Sequence, residues 1–357
     1  MAYKYTHFIP QNIAPKGATK IVAYNSSGEE IATIPLWGLT PPNKEKLYSF
    51  GLVSDIHLWH ASASHKPNPK FEYALTYFEN QGCSFCCISG DLTQTGFYRK
   101  KVESDQTEIP YSEDLQFETY QEICGNHPNL PIYEIAGNHE SYYRMSIKDT
   151  DGSLDKWKSY TRSNGLAYTV SNEEIAILNN DLFIFIGQPQ ESKPMHDDDL
   201  EWLYGVLETN TNKRCFIFVH PHINSGNPLG VYTTNNFFVG WGEKTTAFKN
   251  LLSRYKNTIL FHGHSHFMFE CQEYDKKANY SENGDSENDD FKSIHVPSLS
   301  KPCAIVNGKR TQQDDKSQGY IVDVYDDCIV LNGMAFDYTD NTVVPVPLGT
   351  FKIDTTL

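Results

Sequence analysis

Five apolar runs of strand length each end in a short polar cluster rich in Asp, Asn and His, and no other feature limits the possible folds so strongly. Run 47–54 leads into Ser54-Asp55-Ile56-His57, and run 84–89 into Gly90-Asp91. Run 131–136 leads into Gly137-Asn138-His139-Glu140, run 214–219 into His220-Pro221-His222, and run 258–262 into His262-Gly263-His264-Ser265-His266. A further apolar run covers 182–187. Runs this short and apolar on both faces are the pattern of strands sandwiched between layers. Helical periodicity lies between them: Phe71, Ala74, Leu75 and Phe78 share one face, as do Leu200, Leu203 and Leu207, and Phe248, Leu251, Leu252 and Tyr255. The run Asp197-Asp198-Asp199 suits a helix N-terminus. Strands alternating with helices indicate an α/β layered fold. In an open α/β sheet the carboxyl ends of the strands share one rim, where ligands bind. Five clusters far apart in sequence are therefore expected to converge.

The chain before residue 47 reads differently. Lys20–Tyr24 and Glu30–Pro35 are strand-like, with the turn signal Asn25-Ser26-Ser27-Gly28 between them, and Pro41-Pro42 follows. Residues 1–46 are thus expected to form a small β-hairpin extension, and 47–357 the main domain with C-terminal strands at 293–296, 319–325, 328–336 and 350–353. The runs 175–178 and 182–186 flank Asn179-Asn180-Asp181 and suggest a hairpin. The polar stretches 97–114 and 276–290 read as surface loops, the second exposed and mobile.

A formal net charge of −15 over 357 residues repels nucleic-acid backbone and anionic membrane, so extended nucleic acid and membrane partners are not expected. A small anionic substrate stays open, because bound cations reverse a local potential. The eight cysteines show no disulfide framework; Cys83-Ser84-Phe85-Cys86-Cys87 sits in a strand-like run and reads as core thiols. With no apolar signal at the N-terminus and no run of about 18 apolar residues, a cytoplasmic location is expected.

The chemistry of the clusters is that of a metal pair. Two divalent ions held about 3.5–4 Å apart can grip both the attacking and the leaving oxygen of an in-line displacement. Asp91 is the candidate bridging carboxylate. Asp55 and His57, two residues apart, can both turn to the rim where the strand loosens, and His264 and His266 can each reach a different ion. Asn138 offers a neutral amide oxygen. Mixed imidazole and oxygen donors suit Mn²⁺, Fe or Zn²⁺ better than Ca²⁺ or Mg²⁺. Taken singly, each piece has a plain alternative, a loop or a turn; the ordered set of five at strand ends does not.

D-x-H, G-D, G-N-H-E, H and G-H-x-H in this order resemble the calcineurin-like metallophosphoesterase superfamily, over about residues 47–300. The resemblance implies a four-layered α/β/β/α sandwich. It implies one ion held by Asp55, His57, Asp91 and His266, another by Asp91, Asn138, His220 and His264, and a bridging hydroxide as nucleophile. His139 would then stand beside the leaving-group oxygen as proton donor or charge stabiliser, with Glu140 orienting it or a neighbouring group. The Asp-Arg of Ser/Thr protein phosphatases is missing after Asp91, and Gln94 stands where purple acid phosphatases place a metal-binding Tyr. There is little room for the second domain of 5′-nucleotidases. G-D-L-T-x-x-G and G-N-H-E look more like small bacterial phosphodiesterases, including the cyclic-nucleotide type. The expected activity is hydrolysis of a small phosphodiester, with a phosphomonoesterase or pyrophosphatase as the alternative and a nuclease or non-catalytic scaffold behind them. His60, His65, Arg144 and His222 are candidate substrate contacts, His222 foremost because it adjoins His220. No protein partner is indicated.

Overall fold

The computed structural model describes residues 20–24, 30–35, 45–59, 67–94, 113–141, 153–163, 165–175, 180–189, 193–221, 223, 244–269, 280–281, 291–306, 309–339 and 342–355. In chain order the elements are β1 (Lys20–Tyr24), β2 (Glu30–Pro35), β3 (Tyr48–Val53), α1 (Pro67–Asn80), β4 (Phe85–Ile88), α2 (Glu113–Gly125), β5 (Ile132–Glu134) and α3 (Asn138–Ser141). Then follow α4 (Ser153–Tyr160), β6 (Ala167–Ser171), β7 (Asp181–Ile186), α5 (Asp199–Thr209), β8 (Arg214–Val219), α6 (Lys244–Arg254), β9 (Thr258–His262) and β10 (Tyr280–Ser281). The last are β11 (Lys292–His295), β12 (Cys303–Val306), β13 (Lys309–Gln312), β14 (Gln318–Val324), β15 (Cys328–Thr339) and β16 (Thr342–Asp354).

Two six-stranded sheets carry the architecture, ordered β16-β15-β14-β3-β4-β5 and β10-β11-β9-β8-β7-β6. The strands that end in the polar clusters are parallel to one another within their sheets, β3 to β4 to β5 and β8 to β9. Three apolar layers separate four structural layers. One lies between the sheets, where Phe50 of β3 stacks on Phe85 of β4 at 5.1 Å and meets Phe216 and Phe218 of β8 edge-on. Phe185, Phe218 and Phe261 continue the row at 4.8 and 5.2 Å, which is where much of the aromatic content goes. A second layer packs Phe71, Leu75 and Phe78 of α1 and Phe117 and Tyr120 of α2 on the first sheet, and a third packs Leu203, Leu207, Phe248 and Leu252 of α5 and α6 on the second. The mixed α/β class is the one expected from the sequence, and this order of clusters agrees with the α/β/β/α layering that the resemblance implies. Strands with both faces covered must be apolar on both faces, as β3, β7, β8 and β9 are.

The sheets are also tied by charge. Arg214 at the start of β8 donates from Nε and Nη2 to the Asp181 carboxylate at 3.0 and 2.7 Å, and the hydroxyl of Tyr48 on β3 donates to the same carboxylate at 2.5 Å. Arg214 Nη1 also donates to the Tyr325 carbonyl and Thr355 Oγ1.

Three sequence expectations need correcting or completing. The antiparallel partner of β7 is β6: Ala167–Ser171 pairs with Leu182–Ile186, Ile175 lies in the turn after β6, and 176–178 of the expected hairpin lie outside the described residues. β6 is an edge strand with alternate burial, a pattern weaker in sequence than the apolar run at 175–178. Within 276–290, Tyr280–Ser281 pairs with β11 as a short strand. The 97–114 stretch gives way to α2 at Glu113. β1 and β2 do pair antiparallel, while the turn 25–28 lies outside the described residues. No disulfide joins any two of the seven described cysteines, and no described helix is long and apolar enough to cross a membrane.

Candidate metal centre

The loops after β3, β4, β5, β8 and β9 meet at one rim. Among the described residues, the non-glycine positions with positive φ are Asp55 (52°), His57 (45°), Asp91 (54°), His264 (70°) and His266 (60°). Left-handed backbone is disfavoured for side chains with a Cβ and persists where surrounding structure enforces it, typically at functional sites. Here it aims five side chains inward from the ends of three strands. Two glycines make the convergence possible: a Cβ on Gly137 would overlap the Asp91 carboxyl, and one on Gly263 would overlap Ser54 Oγ.

The donor atoms fall into two sets. In the first, His266 Nε2 lies 3.1 Å from Asp55 Oδ1 and 3.1 Å from His57 Nε2, and His57 Nε2 lies 3.8 Å from Asp91 Oδ2. In the second, His220 Nε2 lies 3.2 Å from Asp91 Oδ2, 3.0 Å from Asn138 Oδ1 and 3.2 Å from His264 Nδ1. Donors ringing one ion at about 2.0–2.2 Å stand roughly 3.0–3.4 Å from each other. Most of these separations match such edges. Asp55, His57, Asp91 and His266 form one group of possible ligands and Asp91, His220 and His264 the other, so Asp91 alone belongs to both.

The surroundings fit cations. Imidazole nitrogens facing each other at 3.1 Å suit a shared ion better than each other, and buried Asp55 Oδ1 has no hydrogen bond in good geometry. His220 Nδ1 lies 2.7 Å from the Ser89 carbonyl and His266 Nδ1 3.2 Å from the Lys301 carbonyl. A carbonyl only accepts, so each Nδ1 carries a proton and each Nε2 is the nitrogen that faces the site, the usual outer support of a metal-binding His.

The protein charges alone set a polarised site. Burial raises the Asp91 carboxyl, but the His220 and His139 charges outweigh it and hold the group well below its ordinary range. Asp55 is lowered in the same way, by His266 and His220 against burial. Burial, then Lys301 and His139, drives His57 well below an ordinary imidazole. Burial and the His220 charge take His264 down to about 3. His220 runs the other way: burial opposes, yet Asp91, by charge and hydrogen bond, raises it to about 9.

His139 lies beside the two donor sets. Its side chain keeps 12% of its exposure, whereas those of Asp55 and His57 keep none. Its backbone N–H donates to Asp91 Oδ1 at 2.9 Å, its Nε2 lies 3.9 Å from Asp91 Oδ2, and its ring meets that of His57 edge-on at 4.4 Å. Burial, against the pull of Asp91, lowers it to about 4. Of the two roles expected for Glu140, orienting His139 or a neighbouring group, its contacts fit the second. It accepts from the Thr93 N–H (2.9 Å), Thr93 Oγ1 (3.0 Å) and the Gly137 N–H (2.8 Å), and so staples the Asp91 loop to the Asn138 loop.

All seven expected donors and His139 are thus brought together. His60, His65, Arg144 and His222 lie outside the described residues. Sequence reading missed Lys301, whose ammonium donates to Gln94 Oε1, and the serines at 298 and 300 that hold the Asp55 backbone. Ser-Leu-Ser-Lys-Pro matches no motif, and nothing local marks it as part of the site.

The family described as calcineurin-like phosphoesterase matches residues 48–268, and the chain belongs to it. No curated protein matches the chain. A dimetal phosphatase from Danio rerio is similar in structure at 13% identity and a TM-score of 0.51, covering 85% of this chain and all of that one. The calcineurin-like phosphoesterase YfkN from Bacillus subtilis aligns at 12% identity and a TM-score of 0.41 over 87% of this chain and 91% of its own. Vps29 from Chaetomium thermophilum aligns at 12% identity and a TM-score of 0.36 over 88% of this chain and all of its own.

Proposed function

We propose that the chain is a metal-dependent hydrolase of a small phosphodiester. The observation that carries this is the pair of donor sets sharing Asp91, with seven donors on five loops and no donor of the pattern replaced. Two divalent ions, Mn²⁺ or Fe by preference with Zn²⁺ admissible, supply the activation of water and the neutralisation of phosphoryl oxygens when bound. The protein's part is placement. Asp91 fixes the spacing of the two sets, His220 and His266 are locked by the Ser89 and Lys301 carbonyls, and Glu140 keeps two of the loops in register. His139, outside both donor sets, is the group at the leaving oxygen; with burial holding its imidazole at about 4, it acts there as a neutral hydrogen-bond donor unless substrate charge raises it to a proton donor.

A phosphomonoesterase or pyrophosphatase would use the same residues and is the second reading. The charge of −15 speaks against extended nucleic acid as substrate. The lack of a disulfide between any two described cysteines is compatible with a cytoplasmic setting. The test is reconstitution with Mn²⁺, Fe²⁺ or Zn²⁺ followed by a panel of alkyl and aryl diesters, cyclic nucleotides, monoesters and diphosphates. Faster turnover of diesters supports the reading; turnover confined to monoesters or diphosphates moves the assignment to the second.

A further inference from the structure

Segment 298–303 forms a floor under the first donor set. Ser298 Oγ and Ser300 Oγ both donate to the Asp55 carbonyl, at 3.0 and 3.1 Å, and the Leu299 N–H donates to the Ser54 carbonyl at 2.9 Å. The Lys301 carbonyl accepts from His266, and the Cys303 N–H donates to the His266 carbonyl at 2.7 Å. From beneath, the wholly buried Lys70 of α1 donates to the carbonyls of Ser300 (3.2 Å), Asp314 (2.9 Å) and Lys316. The Lys301 N–H donates to Ser298 Oγ at 2.9 Å. The Lys301 backbone is therefore pinned from both sides, next to two metal-donor loops.

Its side chain turns into the site. Nζ donates to Gln94 Oε1, three residues beyond Asp91, and among the described residues this is its one hydrogen-bond acceptor. No described carboxylate pairs with it, although Asp91 and Asp55 are the charges that act on it most strongly, and it acts in turn on His57 and His139. An ammonium has three donors. One is used, and the other two sit on a cation held at Gln94, three residues after Asp91, on a backbone whose carbonyl holds His266.

We propose that the Lys301 ammonium, with the Gln94 amide beside it, binds a non-bridging phosphoryl oxygen of the substrate in front of the first donor set. This rests on the phosphoester reading above. Negative charge gathers on those oxygens during phosphoryl transfer, and a cation already in place stabilises it without reorganising. Lys301 is then a substrate-binding residue outside both metal-donor sets.

The experiment uses the full chain loaded with Mn²⁺, with Lys301→Met, Lys301→Gln and Lys301→Arg. Inorganic phosphate is titrated by calorimetry, and kcat/KM is measured on bis(p-nitrophenyl) phosphate. Metal per chain and melting temperature should stay at the wild-type values. Phosphate affinity and kcat/KM should each fall about 10- to 100-fold in the Met and Gln variants, the span of one charge-assisted hydrogen bond, and Arg should recover part of the loss. Unchanged phosphate affinity in Lys301→Gln with full metal content overturns the proposal, because the side chain then only tethers Gln94. Loss of metal in all three variants also overturns it, because Lys301 would then belong to the metal scaffold. Lys301-dependent phosphate binding by a wild type that hydrolyses no phosphoester would sink the hydrolase reading and leave this one standing.

Discussion

Metal uptake should release a proton, and the residue responsible is His220. Its imidazole stands at about 9 because the buried Asp91 carboxylate faces its Nε2 at 3.2 Å, the same nitrogen that would face an ion. Near pH 7 that is about two units below the folded value, so roughly 1 chain in 100 has the lone pair ready. An ion must expel the proton, and its apparent affinity near pH 7 is then about 100-fold below the limit reached above pH 9. Between those values the affinity should climb about tenfold per pH unit. Four of the other donors add little: His57 and His264 are already pushed to the neutral side, and Asp55 and Asp91 to the ionised side. Calorimetric titration of Mn²⁺ in two buffers of different ionisation enthalpy counts the protons, and the count should fall by about one between pH 7 and pH 10 as His220 empties, on top of any proton lost by a metal-bound water. The metal-free protein should show the mirror effect. The raised value of His220 contributes stability that is fully present below the unfolded value of about 6.5 and is lost as pH rises through about 9. A titration that releases no proton near pH 7 would refute the reasoning, since His220 would then not exchange its proton for the ion.

Asp181→Ala should destabilise without touching the metal site. It strands the Arg214 guanidinium, whose side chain is only 6% exposed, and removes the acceptor of Tyr48; breaking such a buried pair costs about 3–5 kcal/mol, readable as a lower denaturant midpoint at unchanged metal content. Gly137→Ala should do the opposite, because its methyl meets the Asp91 carboxyl: bound metal should fall in elemental analysis more steeply than melting temperature. His139→Ala should keep both ions and lose turnover about 10²–10⁴-fold on an alkyl diester but far less on a p-nitrophenyl ester, whose leaving group needs little protonation. Equal losses on the two esters would reassign His139 to positioning.

The site was legible because each part of it is local. Asp55 and His57, or His264 and His266, stand two apart at the end of an apolar run, and the rim of a parallel sheet gathers such ends whatever lies between them. The fold was legible for the same reason: strands covered on both faces are apolar on both faces. What stayed hidden depends on contacts between distant segments. Lys301 enters the site only because the tail returns past Asp55 and is gripped by Lys70 of α1, 230 residues from Ser300 in sequence. The pairing of β7 with β6 turns on a half-exposed edge strand, whose alternation is weaker in sequence than the apolar run at 175–178. Glu140 was open to orienting His139 or a neighbouring group, and only the fold shows that its carboxylate bonds to Thr93, 47 residues away.

The central claim is that Asp91 joins two metal sets into one centre. The most direct test is anomalous scattering from crystals soaked in Mn²⁺, for the wild type and for Asp91→Ala. The wild type should show two peaks about 3.5–4 Å apart, one among Asp55, His57 and His266 and one among Asn138, His220 and His264, with Asp91 between them. Asp91→Ala should lose both peaks or hold one weakly. A single peak in the wild type, or two full peaks that survive in Asp91→Ala, would contradict the account.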